Sequence, residues 1–332
     1  MRNIKLWVAV VLFAIIAVGG WFGYKQYTAD KAAKEAAARE ASVPIQTVKV
    51  AYQTDEKTTE ALLALGKESG IFTKNRIETK SVTNASNISA FLKTGEADVQ
   101  ITSAATVTLG YLNDQDSVWL DKLTDYPVSF GFVGRSGDKT TFKNAGVSKL
   151  GTSPQAYAEV TAPSLGIANK LNFVVAANGA PQMAMLESGK LDFVITNVYS
   201  DTLQKTIKDK GFQTLSPKDV FSTKKVPTGI FTIQKQLDTN SDALARFVKA
   251  MNEVSNYAVA NQSQFKSVLQ KADDSISDDM AQKVVDAFVA AKASSYKPVS
   301  SDLNDLVNVL KGWSPKNPDR DLSKFIVDKY VK

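Results

Sequence analysis

Four short polar stretches hold the side chains best suited to chemistry: Gln53-Thr54-Asp55, Ser103-Ala104-Ala105-Thr106, Thr152-Ser153-Pro154-Gln155 and Asn197-Val198-Tyr199. Hydroxyls and amides dominate, so the chemistry is hydrogen bonding without net charge. All four follow an apolar run that reads as a strand, where free N–H groups of a starting helix add donors for polar or anionic oxygens. The candidate ligand-binding residues are Gln53, Thr54, Ser103, Ala104, Thr106, Thr152, Ser153, Gln155, Asn197 and Tyr199, with Tyr199 placed to cover a ligand by stacking. Ser103, Thr106, Thr152 and Ser153 are equally good helix caps, and a residue can do both. Arg135 is a candidate partner for a carboxylate or sulfonate, since its guanidinium pairs such groups in bidentate fashion. Asn84 and Asn178 read as caps, Asp98 and Asp192 as structural, and Trp119 and Tyr126 as core residues.

What is missing narrows the chemistry further. The 332 residues include no cysteine and no histidine, which removes disulfides, thiol nucleophiles, Cys/His metal sites and His-based acid–base catalysis. The acidic pairs Asp273/Asp274 and Asp278/Asp279 are adjacent in sequence, so neither pair shares a helix face. No catalytic group, metal or cofactor is expected. Lys and Arg number 40 against 34 Asp and Glu, but residues 1–44 carry six of the bases and three of the acids. The remainder, 34 against 31, is too evenly charged for a nucleic-acid footprint.

The start of the chain reads differently from the rest. Leu6 to Tyr24 is uncharged and bounded by Lys5 and Lys25. At about 1.5 Å per residue it reaches across most or all of a bilayer's apolar core. It is either an uncleaved anchor or a long signal peptide with a small-x-small site at Ala17-Val18-Gly19. Trp21, Phe22 and Tyr24 continue the apolar run as interfacial aromatics, which favours residues 1–24 as an anchor. Residues 25–44, rich in Ala, Lys and Glu, read as a solvated helical spacer with Glu35 and Arg39 at i,i+4, ending at Pro44.

An internal repeat organises the body. At an offset of 94, Asn84–Thr102 and Asn178–Thr196 agree at seven of 19 positions, including Gly95/Gly189, Asp98/Asp192 and Thr102/Thr196. Each copy reads as a helix closed by a glycine, a polar pair, and an apolar strand delivering the chain to one of the polar stretches above. Thr47–Ala51, a helix over Thr58–Lys67 capped by Asp55, and a strand over Ile77–Val82 precede the first copy. A strand over Val147–Leu150, a helix over Tyr157–Ala168 and a strand over Asn172–Ala176 precede the second. Strand–helix alternation twice over predicts an α/β fold of two lobes, each a mostly parallel sheet flanked by helices. Val128–Val133 reads as a strand leaving the first lobe and Gly229–Ile233 as one returning. Lobe 1 is then 45–133 with 229–332, and lobe 2 is 134–228. Helical periodicity over Ser241–Ala258, Gln262–Lys271, Ser277–Ala293 and Asp302–Trp313 places a helical third at the C-terminus, packed most simply on lobe 1.

With these pieces in place, VKVAYQ (48–53), LLALGKESGIFTKN (62–75), AFLKTGEADVQIT (90–102), AMLESGKLDFVIT (184–196) and PTGIFTIQKQLDTNSDALARFVKAM (227–251) resemble the type II periplasmic solute-binding proteins of ABC importers. The branch is that serving nitrate, taurine, alkanesulfonates and thiamine-pyrimidine precursors, over residues 45–300. The resemblance implies the periplasmic-binding-protein type II fold. It further implies an extracytoplasmic protein, not an enzyme, that captures a small polar or anionic molecule (sulfonate, nitrate or pyrimidine-like) between its lobes. Its partners would be ABC permease and ATPase subunits, with residues 6–24 in the cytoplasmic membrane, or secretion after cleavage. A pyrimidine synthase of this fold depends on histidine and cysteine, which this chain lacks. The alternative is a membrane-tethered module that senses a ligand and signals to a membrane partner.

Overall fold

The computed structural model describes residues 25–28, 30–31, 42–84, 88–167, 170–327 and 330. The expected anchor over residues 6–24 lies outside the described residues, as does most of the spacer, although 25–28 and 30–31 are helical. Among the described residues no helix is long and apolar enough to cross a membrane. Residues 47–332 form one compact unit, separate from 1–46.

In chain order the elements are β1 (Gln46–Gln53), α1 (Lys57–Glu68), α2 (Ile71–Lys74), β2 (Ile77–Asn84), α3 (Ile88–Thr94), β3 (Val99–Ser103), α4 (Ala104–Leu112), β4 (Ser117–Thr124) and β5 (Phe130–Gly134). Next come β6 (Asn144–Val147), α5 (Ser153–Thr161), β7 (Asn172–Val175), α6 (Ala180–Glu187), β8 (Phe193–Asn197), α7 (Asp201–Lys210), β9 (Gln213–Leu215) and α8 (Pro217–Val220). The chain ends with β10 (Thr228–Ile233), α9 (Gln234–Ala260), α10 (Gln262–Ala272), α11 (Asp278–Ala291) and α12 (Asn304–Lys311). They build two five-stranded sheets with matching layouts, β2-β1-β3-β10-β4 and β7-β6-β8-β5-β9.

Each sheet is mixed. β1 runs parallel to β3, and β6 to both β7 and β8. The fourth strand of each sheet, β10 or β5, is antiparallel to both its neighbours. These are the two strands on which the chain enters one sheet from the other, and that connection sets their direction.

The repeat has a structural cause. Its strands, β3 and β8, hold the central place in the two sheets, and each is preceded by a helix whose closing glycine, Gly95 or Gly189, has φ of 77° or 73°. That left-handed conformation is costly for any residue with a Cβ. The repeated aspartates are clasps between strands. Asp98 Oδ2 accepts from the Lys49 N–H at 2.8 Å, while the Asp98 N–H donates to the Lys49 carbonyl at 2.8 Å. Asp192 Oδ2 accepts from the N–H groups of Lys143 and Asn144 at 2.8 and 2.7 Å, and its own N–H donates to the Asn144 carbonyl.

Several expected boundaries move. The strand expected over Val147–Leu150 is β6, three residues earlier: Ala145, Gly146 and Val147 are buried between β7 and β8, whereas Leu150 is 52% exposed in the turn that follows. The helix expected from Tyr157 starts at Ser153, where Pro154 fits a first turn that needs no N–H donor. Asp55 is not the cap of α1; that position falls to Glu56, whose side chain makes no capping bond. The strand expected to leave lobe 1, Val128–Val133, is β5 and belongs to the second sheet, between β8 and β9. A Cβ on Gly131 would lie 2.5 Å from the Leu215 carbonyl oxygen and 2.8 Å from Val198, so glycine is what lets β8 and β9 close on this strand. The chain therefore crosses between sheets at 125–129 and again at 216–227.

The C-terminal helices divide. α9, α10 and α11 contribute Phe247, Met251, Phe265, Val285 and Phe288 to a core shared with α1 and the first sheet. The last helix departs from the expected packing on lobe 1 alone: α12 lies against both α4 and α5. Its Leu306 and Leu310 join a core running from Trp119, Phe231 and Phe325 through Tyr126, Tyr157 and Phe221 to Phe132 and Phe193.

One group in the first sheet is in conflict with its surroundings. Asp121, in β4, is wholly buried, and among the described residues neither carboxylate oxygen has a hydrogen-bond partner, although Asn252 and Lys122 lie beside it. Burial pushes its carboxyl well above the ordinary range. A raised folded-state value leaves stability intact at low pH and removes it as pH rises through that value. Asp121→Asn is therefore expected to add about 1–3 kcal/mol at pH 8, from the desolvation otherwise demanded of the charge, and to flatten stability against pH. Urea unfolding of both proteins at pH 5 and pH 8 tests this; a variant no more stable than the parent at pH 8 contradicts it.

Candidate functional site

The carboxyl ends of β1, β3 and β6 face one cleft between the two sheets, the position where open α/β folds bind ligands. A cavity of about 290 Å³ occupies it. From the first sheet and its helices come Gln53, Glu56, Ser89, Thr102, Ser103 and Thr106. From the second come Ser148, Thr152, Ser153, Tyr157 and Asn178, with Phe130 at the crossing.

Five of the ten expected residues meet here: Gln53, Ser103, Thr106, Thr152 and Ser153. Ser103 caps α4, its Oγ accepting from the Ala105 N–H at 3.1 Å. Thr106 Oγ1 and Ser153 Oγ lie 2.7 Å apart, a direct bond between the first turns of α4 and α5 across the cleft. Thr152 occupies the cap position of α5 without capping it, because its hydroxyl donates to the Lys149 carbonyl at 2.6 Å. That leaves the opening N–H groups of α5 without the Thr152 hydroxyl as acceptor.

Asn197 and Tyr199 line a smaller adjoining cavity of about 60 Å³ with Asp55, Glu56, Phe130 and Asp273. Asn197 Oδ1 accepts from the Tyr199 N–H at 2.9 Å, which shapes the turn leaving β8. Burial pushes the Tyr199 phenol up to about 12, so it is a neutral hydroxyl at any physiological pH.

Three expected residues are not on the cavity wall. Gln155 folds back along its own helix, accepting from the Gly151 N–H and donating to Glu159, both at 2.9 Å. Thr54 is exposed beside the cleft, its N–H donating to the Asn84 carbonyl at 3.4 Å. Ala104 is fully buried, its N–H donating to the Pro227 carbonyl at 2.8 Å, so it positions α4. Arg135 is paired with Asp192 away from the cleft, which leaves no arginine on the cavity wall. Asn178 does line the cavity; the cap of α6 is Gly179, and Asn178 Oδ1 accepts from Gln182 at 3.4 Å. Trp119 and Tyr126 are core residues as expected.

Sequence reasoning passed over Glu56, Phe130 and Tyr157. Glu56 and Phe130 are shared by the 290 Å³ cavity, the 60 Å³ cavity and a third of about 40 Å³ beneath them. Tyr157 stands one helical turn after Ser153, a spacing that places both on one face of α5 and was the available signal. Its ring is edge-on to Phe130 and to Phe221, at 5.4 and 5.7 Å. Burial holds its phenol far above the ordinary range, against the opposing effect of Ser103 and Ser153 beside the hydroxyl. The carboxyl of Glu56 is pushed up to about 7, mainly by burial and further by Asp55. Among the described residues no cluster of acidic side chains could hold a metal ion. The acids Asp278 and Asp279 are paired with Lys266 and Lys283 at 2.7 and 2.8 Å on the surface.

A two-sheet α/β unit with a hydroxyl-lined cleft where the sheets meet is the architecture of a periplasmic binding protein. The chain belongs to the NMT1/THI5-like family, whose model matches residues 58–265. Among curated proteins none matches by sequence. Among solved structures the chain is similar to the CA3427 gene product of Candida albicans, described as having the generic periplasmic binding protein fold, at 15% identity over 86% of this chain and 98% of that one, TM-score 0.65. It is similar also to the periplasmic aliphatic sulphonate binding protein SsuA of Escherichia coli, at 12% identity over 86% and 92%, TM-score 0.64. A third is the zinc-bound ligand-binding component of an ABC-type import system from Staphylococcus aureus, at 13% identity over 86% and 97%, TM-score 0.64. At these identities the likeness is one of fold.

Proposed function

We propose that the protein is an extracytoplasmic solute-binding protein that captures a small polar molecule in the cleft between its two lobes and hands it to the permease and ATPase of an ABC importer. The observation that carries this reading is the cavity of about 290 Å³ at the strand ends, walled by hydroxyls and amides from both sheets. It is the size of a small-solute site. The Thr106–Ser153 bond at 2.7 Å supports a cleft that closes by joining the first turns of two helices, and the segments 125–129 and 216–227 are where such closure would bend. Residues 6–24 would tether the protein to the cytoplasmic membrane with residues 25–44 as the spacer, a reading that rests on their composition. The family and the ABC import components of the same fold support the importer as partner.

A thermal-shift screen of the full-length chain against sulfonates, nitrate, pyrimidines, amino acids and nucleobase-like compounds tests the reading. A ligand at a hundred times its dissociation constant is expected to add about 2.7 kcal/mol of stability. Substituting Ser103 and Ser153 by alanine should abolish the shift given by any hit; a hit indifferent to both changes binds elsewhere and contradicts the proposed site.

A further inference from the structure

The wall of the cleft carries a charge preference. Glu56 sits where three contiguous cavities meet, half-buried, at the entrance to α1. Its side chain does not cap the helix, and among the described residues no hydrogen bond or ion pair engages its carboxylate.

The groups that face it make the site more acidic. Asp55 precedes it in the same loop, Asp273 closes the 60 Å³ cavity from the end of α10, and Tyr157 of α5 and Tyr199 after β8 contribute neutral phenols. Two lysines oppose these. Lys57 is engaged by Glu60 at 2.9 Å, and Lys149 stands exposed at the outer rim before α5. The helix N-termini at α4 and α5 favour oxyanions, but an anion placed there shares the cavity with Glu56 and no arginine to offset it. The second wall common to all three cavities is Phe130, and an aromatic ring attracts a cation.

Building on the solute-binding reading above, we propose that the cleft selects a small organic cation bearing a planar N–H-rich head, of the amidinium or guanidinium kind, which pairs with the Glu56 carboxylate in bidentate fashion and lies against Phe130, in preference to a sulfonate-like oxyanion. The hydroxyls of Ser103, Ser153 and Tyr157 then serve the remainder of the ligand.

The test uses three phenyl probes of different charge, benzamidinium, benzamide and benzenesulfonate, with affinities for the full-length chain measured calorimetrically at pH 6 and pH 8. Benzamidinium is expected to bind at least tenfold more tightly than benzenesulfonate at pH 8. With the Glu56 carboxyl pushed up to about 7, a cation that needs the carboxylate loses affinity between pH 8 and pH 6, approaching tenfold per unit below that value. In Glu56→Gln the cation should lose at least tenfold at pH 8 and its pH dependence, benzamide should stay within threefold, and benzenesulfonate should gain. Glu187→Gln, at the end of α6 and outside all three cavities, should change none of these. A wild type that prefers benzenesulfonate, or a Glu56→Gln variant with an unchanged ratio of cation to anion, overturns the charge assignment and leaves the solute-binding reading standing. Failure of all three probes at 10 mM also overturns it, and the solute-binding reading is then decided by the wider ligand screen alone.

Discussion

Replacing Gly229 with alanine is expected to destabilise the protein by about 3 kcal/mol or more, although the change adds one methyl group and touches no ligand. Gly229 lies in β10, paired on one side with Thr102 of β3 and on the other with Lys122 of β4. A Cβ here would stand 2.2 Å from the Asp121 carbonyl oxygen and 2.5 Å from Trp119 Nε1. Those two atoms are themselves hydrogen-bonded at 2.7 Å, so the methyl group would enter an existing contact from above. Neither partner can give way. The carbonyl belongs to β4, whose residues are buried along its whole length, and the Trp119 ring is fully buried, stacked on Phe231 with centroids 5.7 Å apart and against Phe325 at 6.2 Å. Denaturant unfolding of the two proteins measures the loss. A variant within 1 kcal/mol of the parent would mean that β4 and β10 can separate locally at no great cost, contrary to the packing described above.

A second large effect is expected at Asp302. Its carboxylate is almost wholly buried, with Oδ2 accepting from Lys122 Nζ at 3.0 Å and Oδ1 from Lys225 Nζ at 2.9 Å. Lys122 is also buried; Asp125 lies 3.1 Å from its ammonium, and Asp121 precedes it in β4. Asp302→Ala takes from the buried Lys122 ammonium its fully buried partner and leaves it the half-buried Asp125, and removing one partner of a buried pair costs about 3–5 kcal/mol. The pH dependence has a definite sign. Burial raises the Asp302 carboxyl, but hydrogen bonds and charge from Lys225 and Lys122 together outweigh it and hold it below the ordinary carboxylate range. A depressed folded-state value contributes stability that is complete above the unfolded value, near 4, and is lost as pH falls through the folded one. The difference between parent and Asp302→Ala should therefore be largest at neutral pH and shrink in strong acid. Unfolding measured from pH 7 down to pH 2 checks both the size and the slope. A gap that stays constant to pH 2 would mean the loss comes from packing and not from charge.

Much of the architecture could be read from local patterns because the two sheets repeat one another. Gly95 and Gly189, Asp98 and Asp192, and the strands between them recur because each pair does the same backbone work in the same place. The helical third was equally visible, since α9, α10 and α11 bury one stripe each against a common core. What could not be read was membership. Nothing local to Val128–Val133 distinguishes a strand that ends the first sheet from one that joins the second; that depends on how β8 and β9 fit against Gly131. The same holds in the cleft. Ser103, Thr106 and Ser153 were legible as polar residues following strands or opening helices, whereas Glu56 and Phe130 matter because of what stands opposite them, and opposition across a cleft leaves no spacing in the chain. Gln155 was misplaced for a local reason, a helical side chain finding its partner in Glu159 one turn along.

The position of β10 also bears on how the molecule is made. β4 has β10 as its one neighbour in the sheet, and all eight of its residues are buried. About 100 residues of other structure are synthesised between the two strands. At about 5–20 residues per second, a ribosome leaves the VWL core of β4 without its mate for about 5–20 s. The second sheet, contiguous from β5 to β9, is complete before β10 emerges. The first sheet, begun first, is thus finished after the second, and during that interval it presents an apolar strand edge to whatever chaperone is at hand.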